Sequence, residues 1–328
     1  MNAPVLPSLQ DIQDAAGRVK GVAVKTPLME SIPLSLRLGA RVFIKPENLQ
    51  RVGAFKFRGA YNRLCQLTPE EKVRGVVAFS SGNHAQGVAA AAKILGMKAI
   101  IVMPSDAPVM KRDNTIAYGA EVVEYDRENE SREEIAKNIA AKYGSVVVPA
   151  FEDFHVICGQ GTVGLEIMEQ GRETGAEFDQ FFSPVGGGGL ISGCATAIKS
   201  ISPATEIYGV EPEGFDDVKR SLAAGRIMSN SRHSGSVCDA LLTHAPGPLT
   251  LAIMQKYVTS VLTISDAEAL IAVKYAWEKL KLVVEPGGAA ALAALLSGRV
   301  DVRGKTICLL LSGGNIDAAT FERAIKAP

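Results

Sequence analysis

The sequence predicts an α/β protein in which mainly parallel sheets are flanked by helices, arranged as two domains that share a cleft. Three observations carry this. Short apolar runs alternate with helix-period segments along the chain, as in VVAFSSGNHAQGVAAAAKILGMKAIIVMP (76–104), which reads strand, glycine turn, helix, strand. Glycine-bearing turns follow the ends of apolar runs at 80–87, 184–193 and 311–315. Hydrophobic residues make up 47% of the chain and glycine is frequent (32) while aromatics reach only 6%, a balance that suits Ala, Val, Ile and Gly packed between helices and a sheet. At 328 residues the chain is long for one domain and comfortable for two.

Taken in order, residues 8–20 form a first helix, with Ser8 as N-cap and Leu9, Ile12, Ala16 and Val19 as its apolar positions. RVFIKPE (41–47) reads as a strand with apolar alternation, and FRGAYNRLCQL (57–67) as a short amphipathic helix. TPEEK (68–72) is a turn and helix start, residues 76–104 a βαβ unit, and residues 109–126 and 130–149 each a helix then a strand. A second series begins near Phe151, with a helix at 161–171 and strand, glycine loop and helix at 180–200. Strands at 206–214 and 257–265 and a helix from Asp266 to Leu280 follow, and 285–298 and 305–317 complete it. The division this predicts is one domain of 1–68 with 149–328 around a smaller one of 69–148.

Charge and targeting signals narrow the function. Lys plus Arg equals Asp plus Glu at 35 each, with no long run of either sign, so nucleic acid and membrane surfaces lose their electrostatic footprint. The five cysteines are scattered without a CxxC pair, which suggests neither zinc nor disulfides. With no signal-peptide pattern and no run of 18 apolar residues, a cytoplasmic location is expected.

Five stretches can carry chemistry. In GAFKFRGA (53–60), Lys56 lies at a strand-to-helix junction between two phenylalanines. The helix N-terminus and apolar neighbours both favour a neutral, nucleophilic amine, able to hold an aldehyde as a Schiff base. An ordinary cleft lysine would read the same in isolation. PVGGGGLISG (184–193) exposes backbone N–H groups at a helix start, a phosphate cradle that lacks both the P-loop Lys-Ser/Thr and the GxGxxG spacing. A close helix–strand contact is the alternative, weakened by the entropic cost of four consecutive glycines. SSGNHAQG (80–87) suits a small carboxylate, although Asn83 and His84 also serve as helix caps. LSGGN (311–315) places Ser312 at a strand end, where a simple turn is the alternative. GVEPEGFDD (209–217) gathers Glu211, Glu213, Asp216 and Asp217, oxygen ligands for a hard cation or a solvated acidic loop. His155, His233 and His244 have no metal-site spacing.

In combination FKFRGA, SSGNH, GGGG and LSGGN resemble the fold-type II pyridoxal-phosphate enzymes, in the serine/threonine dehydratase and serine racemase branch, over nearly the whole chain. Cysteine-synthase relatives are disfavoured, since their turn resembles TSGNTG. The resemblance implies a tryptophan synthase β-like fold with the active site between the domains. It implies that Lys56 holds the cofactor and moves the Cα proton, with Phe55 beside the ring and Asn83 on its hydroxyl oxygen. Gly186, Gly187, Gly188 and Gly189 would hold the phosphate and Ser312 the ring nitrogen, where a hydroxyl draws less carbanion charge into the ring than an aspartate would. Ser80, Ser81 and His84 would meet the substrate carboxylate. Ser81 also matches the opposite-face acid/base of racemases, and Arg132 an arginine near their substrate entrance, although a surface helix arginine reads alike. Glu211, the Phe215 carbonyl and Asp217 match the branch's divalent-cation site (Mg²⁺ or another ion), with Phe standing where the family has a small residue.

The activity implied is dehydration and deamination of L-threonine or L-serine to a 2-oxo acid and ammonia, by a homodimer whose small domain closes over the amino acid. Rival readings are a serine or aspartate racemase with side dehydratase activity, a 3-hydroxyaspartate dehydratase that would want an extra cation near the β-carboxylate, and a non-catalytic binder of phosphate ligands. The chain ends shortly after LSGGN, so a C-terminal regulatory domain with isoleucine feedback is not expected.

Overall fold

Two sheets, almost wholly parallel, organise the chain in a computed structural model that describes residues 4–80 and 82–328. The strands are β1 (Met29–Glu30), β2 (Arg41–Pro46), β3 (Val76–Phe79), β4 (Ala99–Pro104) and β5 (Glu121–Tyr125), then β6 (Val146–Val147), β7 (Gln180–Pro184), β8 (Glu206–Pro212), β9 (Ser260–Ile264) and β10 (Thr306–Leu311). A six-stranded sheet runs β1-β2-β10-β7-β8-β9, antiparallel only between β1 and β2, and a four-stranded sheet runs β5-β4-β3-β6, parallel throughout. All strands of the smaller sheet lie between Val76 and Val147, so the larger sheet draws on chain from both sides of them. Each sheet has its own apolar cores, Val42, Ile44, Leu309 and Leu311 among them in the larger and Val76, Ala78, Ile101 and Met103 in the smaller.

Local chemistry explains the elements. Ser8 accepts from the Asp11 N–H and donates its own backbone N–H to the Asp11 carboxylate at 2.8 Å, a reciprocal cap that starts the helix Leu9–Val19. Thr68 and Glu71 do the same for the helix Pro69–Arg74, with proline in the first turn. No helix among the described residues is long and apolar enough to cross a membrane.

Three expectations need correction. β2 does not alternate: every residue from Val42 to Pro46 is buried, Lys45 included, because the strand lies between β1 and β10 with both faces covered. The Lys45 ammonium is held by the Thr26 carbonyl at 2.7 Å, Glu166 at 2.7 Å and Gln170 at 2.8 Å. The helix Lys56–Cys65, amphipathic in its residue pattern, has no exposed face either. It is buried at Phe57, Arg58, Gly59, Ala60, Tyr61, Asn62 and Leu64, packed between the helices Asn83–Ile94 and Phe154–Glu173. Finally, the helix expected at 161–171 starts at Phe154, where Asp153 caps it through the Val156 N–H at 2.9 Å. Its early glycines hide the helical period but permit a close crossing, since a side chain at Gly159 would collide with Gly59 and the Arg58 carbonyl.

Arg58 fixes that crossing. Its guanidinium meets both Glu47 carboxylate oxygens at 2.8 Å and Glu166 at 2.6 and 2.9 Å, while Thr26 donates to Glu47 at 2.6 Å. Burial alone would raise the Glu47 carboxyl, yet the Arg58 charge outweighs it and holds the group below its usual range. The network ties β2 and two helices together two residues from Lys56.

Candidate active site

A cavity of about 400 Å³ opens where the C-terminal edges of both sheets converge, the usual place for ligands in open α/β folds. β2 leads into the turn before Lys56, β7 into Gly186–Gly189 and β10 into Ser312, while β3 leads into Ser80 and β6 into Ala150. Among the residues that line the cavity are Phe55, Lys56, Ser80, Asn83, His84, Arg132, Gly186 to Gly189 and Ser312. Ser81, singled out from the sequence, lies outside the described residues.

Lys56 opens its helix and its ammonium donates to the Ala150 carbonyl at 2.7 Å. Burial lowers it to about 8, and its Nζ lies 5.2 Å from the Phe55 ring centre. The glycine loop is both tightly packed and open to the cavity. Gly188 has φ +89°, and side chains at Gly187 and Gly188 would strike Phe151 and Met254, so the loop packs closely, but on a loop residue and a helix and not on a strand. Yet among the described residues no backbone N–H from Gly186 to Ile191 finds an acceptor, and together they line the cavity. Such a row at the N-terminus of the helix Gly189–Ile201 fits a phosphate group. The Ser312 backbone is pinned by its N–H to Gly288 at 3.2 Å and its carbonyl to the Phe55 N–H at 3.1 Å, with its side chain at the cavity.

His84 is oriented by the Val148 carbonyl, 2.9 Å from Nε2; that carbonyl only accepts, so Nε2 bears the proton. Burial, with the Lys56 charge, pushes the imidazole down to about 3, which keeps it neutral. Its Nδ1 is buried with no partner among the described residues, so the neutral ring presents an acceptor there and offers no donor to an anion at that atom. Arg132 pairs with Glu133 at 2.9 Å and lies over the Phe79 ring at the cavity wall.

Several lining or supporting residues carry no local sequence signal. Lys111 is buried and donates to Asp239 at 3.1 Å across the cleft between the two sheets. Burial would lower its ammonium, but Glu285 and Asp239 raise it above its usual value, so it stays charged. Glu285 accepts from Asn83 Nδ2, and Asn315 donates to Asn83 Oδ1 at 2.7 Å. Asn315 closes the LSGGN stretch, where the sequence drew attention to Ser312 alone.

The acidic cluster divides. Glu213 and Asp216 pair with Arg299 and Arg220 at the surface, whereas Glu211 and Asp217 are buried. Glu211 accepts from the Val218 and Lys219 N–H groups at 3.0 and 2.9 Å, and Asp217 from Asn230 at 2.6 Å. Burial and the neighbouring Asp217 raise Glu211 well above its usual value, and burial raises Asp217 to about 6. Asp217 Oδ2 is buried without a partner and the Phe215 carbonyl receives no hydrogen bond, among the described residues. No cluster of three His, Cys, Asp or Glu ligands occurs among those residues. Two carboxylates and a carbonyl nonetheless suit a hard cation completed by water.

Comparison with known proteins agrees with this architecture. The profile of the family described as "Pyridoxal-phosphate dependent enzyme" matches residues 19–313, and the chain belongs to that family. It is 42% identical to the L-threo-3-hydroxyaspartate ammonia-lyase of Saccharomyces cerevisiae, covering 98% of this chain and 97% of that one. It is also 42% identical to the L-threonine ammonia-lyase of Thermotoga maritima, over 97% of this chain and 78% of the relative. The solved structure of maize serine racemase superposes with a TM-score of 0.92 at 37% identity, covering 98% of this chain and 97% of the other.

Proposed function

We propose that this chain is an ammonia-lyase that dehydrates and deaminates a β-hydroxy-α-amino acid, L-threonine or L-serine, to a 2-oxo acid and ammonia. The observation that carries the reading is one cavity holding the desolvated Lys56 amine, the open N–H row at Gly186–Ile191 and the Ser312 hydroxyl. Pyridoxal phosphate supplies an aldehyde carbon and an electron-withdrawing ring conjugated to the substrate Cα. The chain supplies the rest. The N–H row would hold the phosphate, Asn83 the phenolic oxygen and Phe55 the side of the ring, and Ser312 would meet the ring nitrogen without forcing a charge on it. Ser80 and the N-terminus of the helix Asn83–Ile94 receive the carboxylate. The Lys56 amine takes the Cα proton, and closure of the small domain keeps water out until the β-hydroxyl has left. A cytoplasmic homodimer completes this reading.

A substrate with a second carboxylate is the one rival that a specific observation favours, because Arg132 and Lys111 both line the cavity. An assay of the cofactor-loaded protein with L-serine, L-threonine and both 3-hydroxyaspartate diastereomers separates the readings. Oxo acid from L-threonine and L-serine supports the first; turnover confined to 3-hydroxyaspartate moves the assignment to the second, and dominant D-amino acid product overturns both.

A divalent cation at Glu211, the Phe215 carbonyl and Asp217 would neutralise two buried carboxylates and hold the turn after β8. Millimolar Mg²⁺ should therefore raise the melting temperature of EDTA-treated protein by roughly 2 °C or more. Asp217→Asn should abolish that rise. Equal melting curves with and without cation would remove the site.

A further inference from the structure

The Asn83 side chain is enclosed by two others, neither of which the proposed reaction uses. Asn315 Nδ2 donates one hydrogen to the Val52 carbonyl at 2.8 Å and the other to Asn83 Oδ1 at 2.7 Å. A backbone carbonyl only accepts, so Val52 decides which end of the Asn315 amide faces it, and both N–H donors are then spent. Asn83 must consequently turn its oxygen to Asn315, which leaves its Nδ2 facing Glu285 Oε1. One Nδ2 hydrogen is taken by Glu285, and the other has no partner among the described residues, on a side chain that lines the cavity.

The support for this arrangement is rigid. Val52 is β-branched yet sits at φ +58°, a conformation such residues avoid and that persists only where its surroundings impose it. Here the Gly53 N–H bonds to the Gln50 carbonyl at 2.9 Å, and the Gly53 carbonyl receives the Gly314 N–H at 2.8 Å. On the other flank the Glu285 N–H donates to the Gly313 carbonyl at 3.1 Å. Asn83 and Glu285 lie 202 residues apart in the chain, so this is tertiary design rather than local capping.

We infer that Asn315 and Glu285 are positioning residues that lock the Asn83 amide with its N–H toward the cofactor's phenolic oxygen. The inference rests on the reading of Asn83 as a cofactor contact. A locked donor keeps that oxygen in its anionic form, whereas a flipped amide would present a second oxygen to it and repel it. The carbonyl of the strained Val52 is the fixed point from which the orientation is read.

The test is equilibrium binding of pyridoxal phosphate by the full chain, followed by the visible absorption band, in a double-mutant cycle. Asn315→Asp keeps the shape but replaces the donor with an acceptor. It should weaken cofactor binding tenfold or more and shift the band, yet add less than a twofold change in an Asn83→Ala background. Glu285→Gln keeps an acceptor for Asn83 and should bind within threefold of the parent, while Glu285→Leu should match the loss in Asn315→Asp. Equal losses from Asn315→Asp in both backgrounds, or unchanged binding in Asn83→Ala, would overturn the clamp while leaving the lyase reading intact. A parent chain that binds no pyridoxal phosphate would overturn that reading itself.

Discussion

Lys56→Ala is expected to reduce turnover on the order of 10⁴-fold or more and to remove the visible band of the loaded protein. The amine is asked both to hold the cofactor aldehyde and to move the Cα proton, and no second amine stands ready to do so. Lys111, the other cavity lysine, is tied to Asp239 and kept charged by its carboxylate neighbours, so it cannot substitute as a nucleophile. The same geometry fixes a pH dependence. Because burial holds the Lys56 amine at about 8 instead of its ordinary 10.5, borohydride trapping of the cofactor on the apo chain should rise with pH around a midpoint near 8. A midpoint above 10 would show an exposed, ordinary lysine. Substantial turnover by Lys56→Ala would remove the residue from the chemistry altogether.

The second large effect is on stability. Glu47→Gln keeps size but strips one charge from a network in which the Glu47 and Arg58 side chains are both wholly inaccessible. Removing one partner of a buried pair leaves the other desolvated and under-compensated, at a cost of about 3–5 kcal/mol. Urea unfolding at neutral pH should record that loss in the midpoint, with cofactor absent from both samples. The sign with pH follows from the depressed Glu47 carboxyl: its contribution is present above its ordinary 4.5 and is lost as pH falls through the lower folded value. The gap between parent and variant should therefore narrow in acid. A gap under 1 kcal/mol at neutral pH would mean that Glu166 alone suffices for Arg58.

What was legible in the sequence follows from range. The parallel α/β architecture and most strands could be read because a βαβ unit writes its period locally, as between Val76 and Pro104. The glycine turns and Ser312 announced themselves because strand ends followed by glycine are local patterns too. The alternation read into 41–47 failed at Lys45 because its salt-bridge partner Glu166 lies 121 residues away, and burial of a charge is decided by such a partner. Glu285 and Lys111 were silent for the same reason: each acquires its role only from a group brought in by the fold. The Phe154–Glu173 helix was cut short by glycines that weaken a single helix but let two of them touch.

The position of β10 has a consequence for biosynthesis. This strand, the latest in chain order among the described strands, is inserted between β2 and β7, in the middle of the larger sheet. Until residues 306–311 leave the ribosome, β2 and β7 each present an open strand edge where the finished protein has none. Lys56 therefore waits for more than 250 further residues before Ser312 joins it at the cavity. A product terminated before residue 306 would be more than inactive: with one edge open on each of two apolar strands, it is a template for aggregation and a target for quality control.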